Sequence, residues 1–336
     1  VNARILSSFS PQAEQGTTIP LLLVAGLVAA GIALLLIPFL GSQTLVDVTF
    51  RTCSLVILAA SWNLMASAGL ISLGHSAFFG LGSYAGILTA NLLAVPFWLS
   101  LVIALVAGGV LGLSLALVTA RLRGIFFAIT TLALSEGLRI IAVMLPDLTG
   151  GAKGAYLAAA SVPSQMTVNV AMSVAAILAC LGVVLVFRSR YYYALRAMRA
   201  NEHAAQMIGI YPLKYRVGIT VLSGAMASLV GGIEVWHGGY LDPGIAFDLH
   251  VTIMAQIAPI IGGLYTIVGP VLGSVLTIFL GDATRLAFGH IPGASLFVFG
   301  ILLVGCVLYL PHGLVGIFTR LVRSRAALSQ KKEAVR

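Results

Sequence analysis

The sequence predicts an all-α polytopic membrane protein, one bundle of about ten transmembrane helices. Composition is the first observation: 60% of the 336 residues are hydrophobic and only 9% are charged. A soluble domain carries about a quarter charged residues, and one this apolar has no polar surface to offer water. A bilayer removes that difficulty because its core is an apolar solvent. The second observation is interruption: apolar runs of about 20 residues, the length a bilayer requires, alternate with short segments of Gly, Pro and charge. The third is the placement of cations. With both termini inside, the inside segments hold all but four of the 19 Lys and Arg residues, namely Arg51, Arg139, Lys153 and Arg285. That bias sets orientation in membrane proteins.

Cutting the chain at charges, prolines and glycine clusters places spans at 19–40, 45–66, 72–93, 97–120, 124–144, 167–187, 217–237, 249–265, 268–288 and 294–317. Residues 1–18 form an inside segment with Arg4 and Glu14. It lacks a small-residue cleavage site after a short apolar core, so the first run reads as a retained helix. Residues 19–317 form the transmembrane domain, and 318–336 a basic inside tail. The net charge of +9 is explained by topology, and no nucleic-acid partner is expected. Cys53, Cys180 and Cys306 lie far apart in apolar runs, so neither a metal site nor a disulfide framework is signalled.

The longest inside loop, 188–216, contains Arg188, Arg190, Arg196, Arg199, Lys214 and Arg216. From Tyr193 to Ile208 it is rich in helix formers, so one or two short surface helices are expected, ended by Gly209 and not continued past Pro212. The outside loop, 145–166, carries the turn-like TGGAKG at Thr149–Gly154. Glycine-interrupted segments come after the second span (Gly69, Gly74, Gly80, Gly82) and the seventh (Gly262, Gly263, Gly269, Gly273). The second span runs inward and the seventh outward, as an inverted repeat requires.

No soluble catalytic module is present. There is no G-x-x-x-x-G-K-[ST], so the chain does not bind ATP through a P-loop, and no H-E-x-x-H or G-x-S-x-G. His75, in SLGHSAFFG, reads either as a buried histidine satisfied by the backbone or as part of a substrate path. Glu136 and Arg139 stand three apart inside the fifth span and can neutralise one another. They read as an ion pair facing the bundle interior, as polar lining of a pathway, or with Glu136 as a proton-coupling carboxylate. Asp282 and Arg285 repeat the spacing near the outer end of the ninth span, where an interfacial pair explains them. The glycines at 74, 80, 82 and 86 either let helices pack closely or let them break where a substrate passes. Asn63 is expected to cap or to hydrogen-bond across helices.

These residues resemble a family. SWNLMASAGLISLGHSAFFGLGSY (61–84) is similar to the N-L-x-x-G-x-x-G-x-x-S-x-G-H-x-x-F-F-G-x-G-x-Y pattern of LivM-like permeases. These are membrane subunits of ATP-driven (ABC) importers of branched-chain amino acids. RGIFFAITTLALSEGLR (123–139), YYYALRAMRANEHAAQMIGI (191–210), IGGLYTIVGPVLGS (261–274) and LPHGLVGI (310–317) resemble further family segments in the same order. The chain departs from the pattern at Ala66–Ser67, Ala200, Tyr265 (where Gly is usual), Lys153 and Ala155. Sister families carry urea and short-chain amides, which stand as alternative substrates.

The resemblance implies the ten-helix type II ABC importer bundle. It makes 191–210 the coupling segment that docks on a cytoplasmic ATPase, through exposed Arg196, Arg199, Asn201 and Glu202, small Ala204 and Ala205, and Gly209. A basic loop serving topology and anionic lipid is the plainer account of the same residues. A translocation path is expected along Asn63, Gly69, Ser72, Gly74, His75, Phe78, Phe79, Thr131 and Glu136, with Gly262, Gly263, Thr266, Gly269 and Pro270. The implied partners are a homologous permease, two ATPase subunits, a periplasmic or extracellular binding protein, an amino-acid substrate and membrane lipid. No cofactor is expected on this chain; ATP and Mg belong to the ATPase. The place is a bacterial cytoplasmic (inner) membrane. The rivals are a secondary transporter coupled through Glu136 and a channel or scaffold subunit.

Overall fold

The computed structural model describes residues 34, 37–39, 41–157, 162–291, 293–309 and 313–316. The long helices are α1 (Gln43–Ser67), α2 (His75–Leu93), α3 (Phe97–Val118), α4 (Ile125–Met144) and α5 (Gln165–Arg188). Two short helices follow, α6 (Arg190–Ala200) and α7 (Glu202–Met207). Then come α8 (Pro212–Gly238), α9 (Leu249–Gly262), α10 (Gly269–Phe288) and α11 (Ala294–Tyr309). Among the described residues, 8 helices are long and apolar enough to cross a membrane: α1 to α5, α8, α10, and α9 joined to the one-turn helix Pro243–Ala246. The chain is thus a multi-pass membrane protein. The spans expected from 45–66 to 268–288 all find a helix. The span expected at 19–40 lies outside the described residues, save residues 34 and 37–39, which are helical. The segments 1–18 and 318–336 lie outside them too.

Helix starts follow capping chemistry. Ser164, Ser189, Asn201 and Asp248 each accept a backbone N–H of the first turn of α5, α6, α7 and α9. Pro212 opens α8, where its missing N–H has no intrahelical partner to lose.

The bundle is organised on α8. Its contacts with α2 and α3 run through small residues, which let backbones touch where no hydrophobic drive separates helix from lipid. Gly108 and Gly112 of α3 face Gly224 and Thr220 of α8, and Gly82 of α2 faces Ser228. Ser228 Oγ donates to the Ala104 carbonyl at 2.6 Å, and Trp236 Nε1 to Ser100 Oγ at 3.0 Å. The glycines here serve close packing.

Directions follow from neighbours. Gly69, just past the C-terminus of α1, lies against Arg199 of α6. We call this the α6 end. α8 begins at Pro212 beside it and runs away. At the opposite end β2 (Tyr240–Leu241) pairs antiparallel with β1 (Ala155–Tyr156). α9 then returns to the α6 end, where Tyr265 also meets Arg199. The second and seventh spans therefore do run oppositely. The glycine correspondence fails, however: Gly262–Gly273 follow α9, which runs the same way as α1, and both glycine-rich breaks sit at one end, in contact.

Replacing Gly108 by Val should destabilise the bundle by about 1–3 kcal/mol, as overpacking does. A Cβ there would stand 2.9 Å from the Gly224 carbonyl carbon. Gly109→Ala, whose Cβ meets only Val221 at 3.7 Å, should be neutral. Thermal unfolding of the two variants in one detergent checks the contrast.

Candidate functional site

Two interruptions meet at the α6 end: residues 68–74 between α1 and α2, and 263–268 between α9 and α10. Backbone groups freed by a break in a membrane helix must find partners inside the protein. Asn63 supplies two. Its Oδ1 accepts the Tyr265 N–H at 2.9 Å, and its Nδ2 donates to the Thr266 carbonyl at 3.0 Å. Trp62 Nε1 and Gln256 Nε2 both donate to the Ser72 carbonyl, at 2.9 and 3.3 Å. The Leu73 N–H donates to Thr131 Oγ1 at 2.9 Å. Thr266 Oγ1 accepts the Gly269 N–H at 2.9 Å and donates to the Gly263 carbonyl at 2.8 Å, starting α10.

Glycine is required where the breaks cross other helices. A Cβ on Gly74 would overlap the Thr131 carbonyl, and one on Gly273 the Ala258 carbonyl. Gly262 and Gly269 face one another in the same way, and Pro270 opens α10. His75 is fully buried at the start of α2, with Nε2 at 3.3 Å from Ser223 Oγ and its ring edge-on to Phe78.

α6 and α7 are fastened to this joint. The Arg199 guanidinium lies 3.6 Å from the centre of the Tyr265 ring, a cation–π contact. Tyr192 Oη donates to the Tyr265 carbonyl at 3.2 Å. Burial holds the Tyr192 phenol above its ordinary range, with Arg199 and Arg196 partly opposing, so the donor proton stays on at neutral pH. Tyr265 itself has φ 62°, a left-handed conformation that L side chains resist. Glu202 closes the other side. Its Oε2 pairs with Arg216 Nη2 at 2.8 Å and Arg123 Nε at 3.0 Å. Arg216 also donates to the Ala120 and Leu122 carbonyls at 3.1 and 3.0 Å. The outward tip of the segment is apolar: Met207, Ile208 and Tyr211 are 88%, 73% and 77% exposed.

The family described as branched-chain amino acid transport system / permease component matches residues 44–307. The chain belongs to that family. This permease is 24% identical over 310 residues to the high-affinity branched-chain amino acid transport system permease protein LivM of Salmonella typhimurium, covering 83% of this chain and 71% of that one. Its identity to the Escherichia coli LivM is 25%, over the same shares. A probable branched-chain amino acid transport permease protein LivH of Methanocaldococcus jannaschii is 29% identical over 146 residues, 40% of this chain and 43% of that one. No solved structure matches it.

The permease's joint collects most of the residues singled out in its sequence: Asn63, Gly69, Ser72, Gly74, His75, Phe78, Thr131, Gly262, Gly263, Thr266, Gly269 and Pro270. Phe79 instead faces a cavity deeper in the bundle. Glu136 does not join them. It pairs with Arg139, whose Nε lies 2.9 Å from Oε2 and whose Nη2 approaches Oε1. The pair stands on the outer face of α4, with side chains 53% and 39% exposed, which corrects the expectation that it faces the interior. The buried side of α4 is taken by Phe127, Ala128, Thr131 and Ser135.

The coupling residues also need correction. Arg196, Asn201, Ala204 and Gly209 are exposed as expected, but Arg199 and Glu202 turn inward and Ala205 is buried. Their partners, Tyr265, Arg216 and Arg123, lie far off in sequence. Ile208, apolar surface of this segment as its sequence suggests, is joined by the exposed Met207 and Tyr211, so three large apolar residues surround Gly209. Gly209 ends the segment at φ +85°.

Glu202→Gln should cost about 3 kcal/mol, because the buried Arg216 loses the one carboxylate paired with it among the described residues. Met207→Ala should stay within about 0.5 kcal/mol, as surface changes do. Denaturant unfolding in micelles compares them.

Proposed function

We propose that the permease is one membrane subunit of an ATP-driven importer of branched-chain amino acids, working by alternating access in a bacterial cytoplasmic membrane with both termini inside. A second, homologous permease completes the translocation unit. Two ATPase subunits carry ATP and Mg at the α6 end, and a binding protein delivers substrate at the other. The observation that carries this reading is the way α6 and α7 are mounted. An apolar tip faces outward, while the same segment grips both helix breaks through Arg199, Tyr192 and Tyr265 and the α3–α4 turn through Glu202. A partner that moves the tip thereby moves the joint. The path residues act there: the breaks at 68–74 and 263–268 are where helices change direction as access alternates.

The outer face of α4 supports a second subunit. Glu136 lies about 16 Å along the helix from Ile125, near mid-membrane. Ion pairs at that depth face protein or water, not lipid. The adjoining permease therefore covers this face. Because the Glu136 carboxylate is engaged by Arg139, coupling to protons through it is the weaker reading.

Two outcomes test the proposal. Met207→Asp with Ile208→Asp should leave the chain in the membrane but abolish co-purification of an ATPase, read by mass spectrometry of the tagged chain. Leucine uptake into proteoliposomes holding the assembled importer should require ATP and survive collapse of the proton gradient. Uptake that follows the gradient and ignores ATP would sink the proposal.

A further inference from the structure

One cavity holds a carboxylate and a hydroxyl that the surrounding helices leave unanswered. It measures about 500 Å³ and lies in the half of the bundle away from the α6 end, between α1, α8, α9, α10 and α11. That is within the range of small-molecule sites, about 300–1,000 Å³. Of the expected path residues only Phe79 reaches it.

Its rim is charged. Arg51 and Asp282 pair there at 3.1 Å. Arg285 and His250 are exposed, and Arg285 stands eight residues beyond Thr277 on α10, about 12 Å along the helix. The inner wall differs. Ser54 Oγ donates to Glu234 Oε1 at 2.5 Å, although Thr52, two residues earlier on α1, turns its hydroxyl back to the Val48 carbonyl. Glu234 is the acidic residue of α8, and no cation pairs with it among the described residues. Thr277 lines the same cavity at 2% exposure, and its hydroxyl has no hydrogen-bond partner among the described residues. Apolar side chains make up most of the rest, among them Leu55, Leu58, Met254 and Ile278, with the rings of Phe79 and Phe299.

Water can pair with the Thr277 hydroxyl, but it brings no countercharge to Glu234, and an unpaired charge inside a bundle is costly. A bare metal ion would find three side-chain oxygens in an apolar wall, whereas a hard cation such as calcium takes about six to eight. An organic cation meets both demands at once. We propose that this cavity binds a primary alkylammonium ion, an amine on a hydrocarbon body. The ammonium, which only donates hydrogen bonds, sits on the Glu234 carboxylate and Thr277 Oγ1. The hydrocarbon lies against Leu58 and Met254, and the two phenylalanine rings add surface that favours a cation. The ligand carries no carboxylate. Inside the wall such a group would face Glu234 with nothing to offset the repulsion, since Arg51 is engaged by Asp282 and Arg285 stands out at the rim. The site is thus chemically distinct from one for an amino acid, and it does not rest on the importer reading.

The test is equilibrium binding of tritiated n-hexylamine to the full chain in phosphatidylcholine nanodiscs, counted above protein-free nanodiscs in potassium phosphate buffer. Unlabelled hexylamine should compete, while 1-hexanol, hexanoate, sodium chloride and L-leucine should not. Glu234→Gln, whose amide oxygen can still accept from Ser54, should weaken binding by about tenfold or more, since the lost contact is charge-assisted. Thr277→Val, which keeps shape and threatens folding least, should weaken it by about threefold. Phe279→Leu, at an exposed position of the same helix, should change nothing. No binding by the unaltered chain, or binding unaltered in both site variants, overturns the proposal. Equal competition by 1-hexanol does so too, because the cavity is then an apolar hole indifferent to charge. Displacement by sodium chloride assigns the carboxylate to an inorganic ion, and equal competition by L-leucine assigns the cavity to an amino acid; either result overturns the ligand class.

Discussion

A backbone that leaves the helical path inside a membrane must be hydrogen-bonded by something other than water, and in this permease Asn63, one turn before the first break, meets that demand for the second. One side chain on α1 binds the N–H and the carbonyl of consecutive residues on the far break. The two interruptions therefore cannot shift independently. Trp62, Gln256 and Thr131 complete the accounting for the near break. The positions of α2 and α10, which start from these loops, follow from it. So does the seat of α6, whose Arg199 and Tyr192 rest on the residue that Asn63 holds.

Tyr265 illustrates how a departure from a family pattern acquires a physical reason. The position calls for a left-handed backbone, which is why glycine is usual there. Tyrosine accepts the strain, of order 1 kcal/mol, and in return offers a ring to Arg199 and a carbonyl to Tyr192. The exchange swaps backbone ease for a firmer attachment of the surface segment.

Much of the architecture was legible in the sequence, because the bilayer reduces the problem to length, hydropathy and charge placement. The eight spans within the described residues, the short helices of 190–207 and their stop at Gly209 all follow from those rules. The order of motifs fixed the family. What could not be read was which face each residue turns. Glu202 looks like a solvent-facing charge until the chain brings Arg123 and Arg216 to it from 79 and 14 residues away. Glu136 looks interior because membrane charges usually are, yet its helix is peripheral. Glu234 reads as one acidic residue among apolar ones, since its partner Ser54 stands on another helix. Periodicity tells where helices are; only their packing tells what they face.

The backbone contacts between α8 and its neighbours α2 and α3 carry a mechanical consequence. Where carbonyls rest on glycine Cα atoms, neither sliding nor rotation has slack, since any displacement brings a side chain into the space a hydrogen now fills. These three helices form a keel. In the alternating access proposed for the permease, the remaining helices swing about it, and substitutions that loosen the keel blur the two proposed end states instead of favouring either.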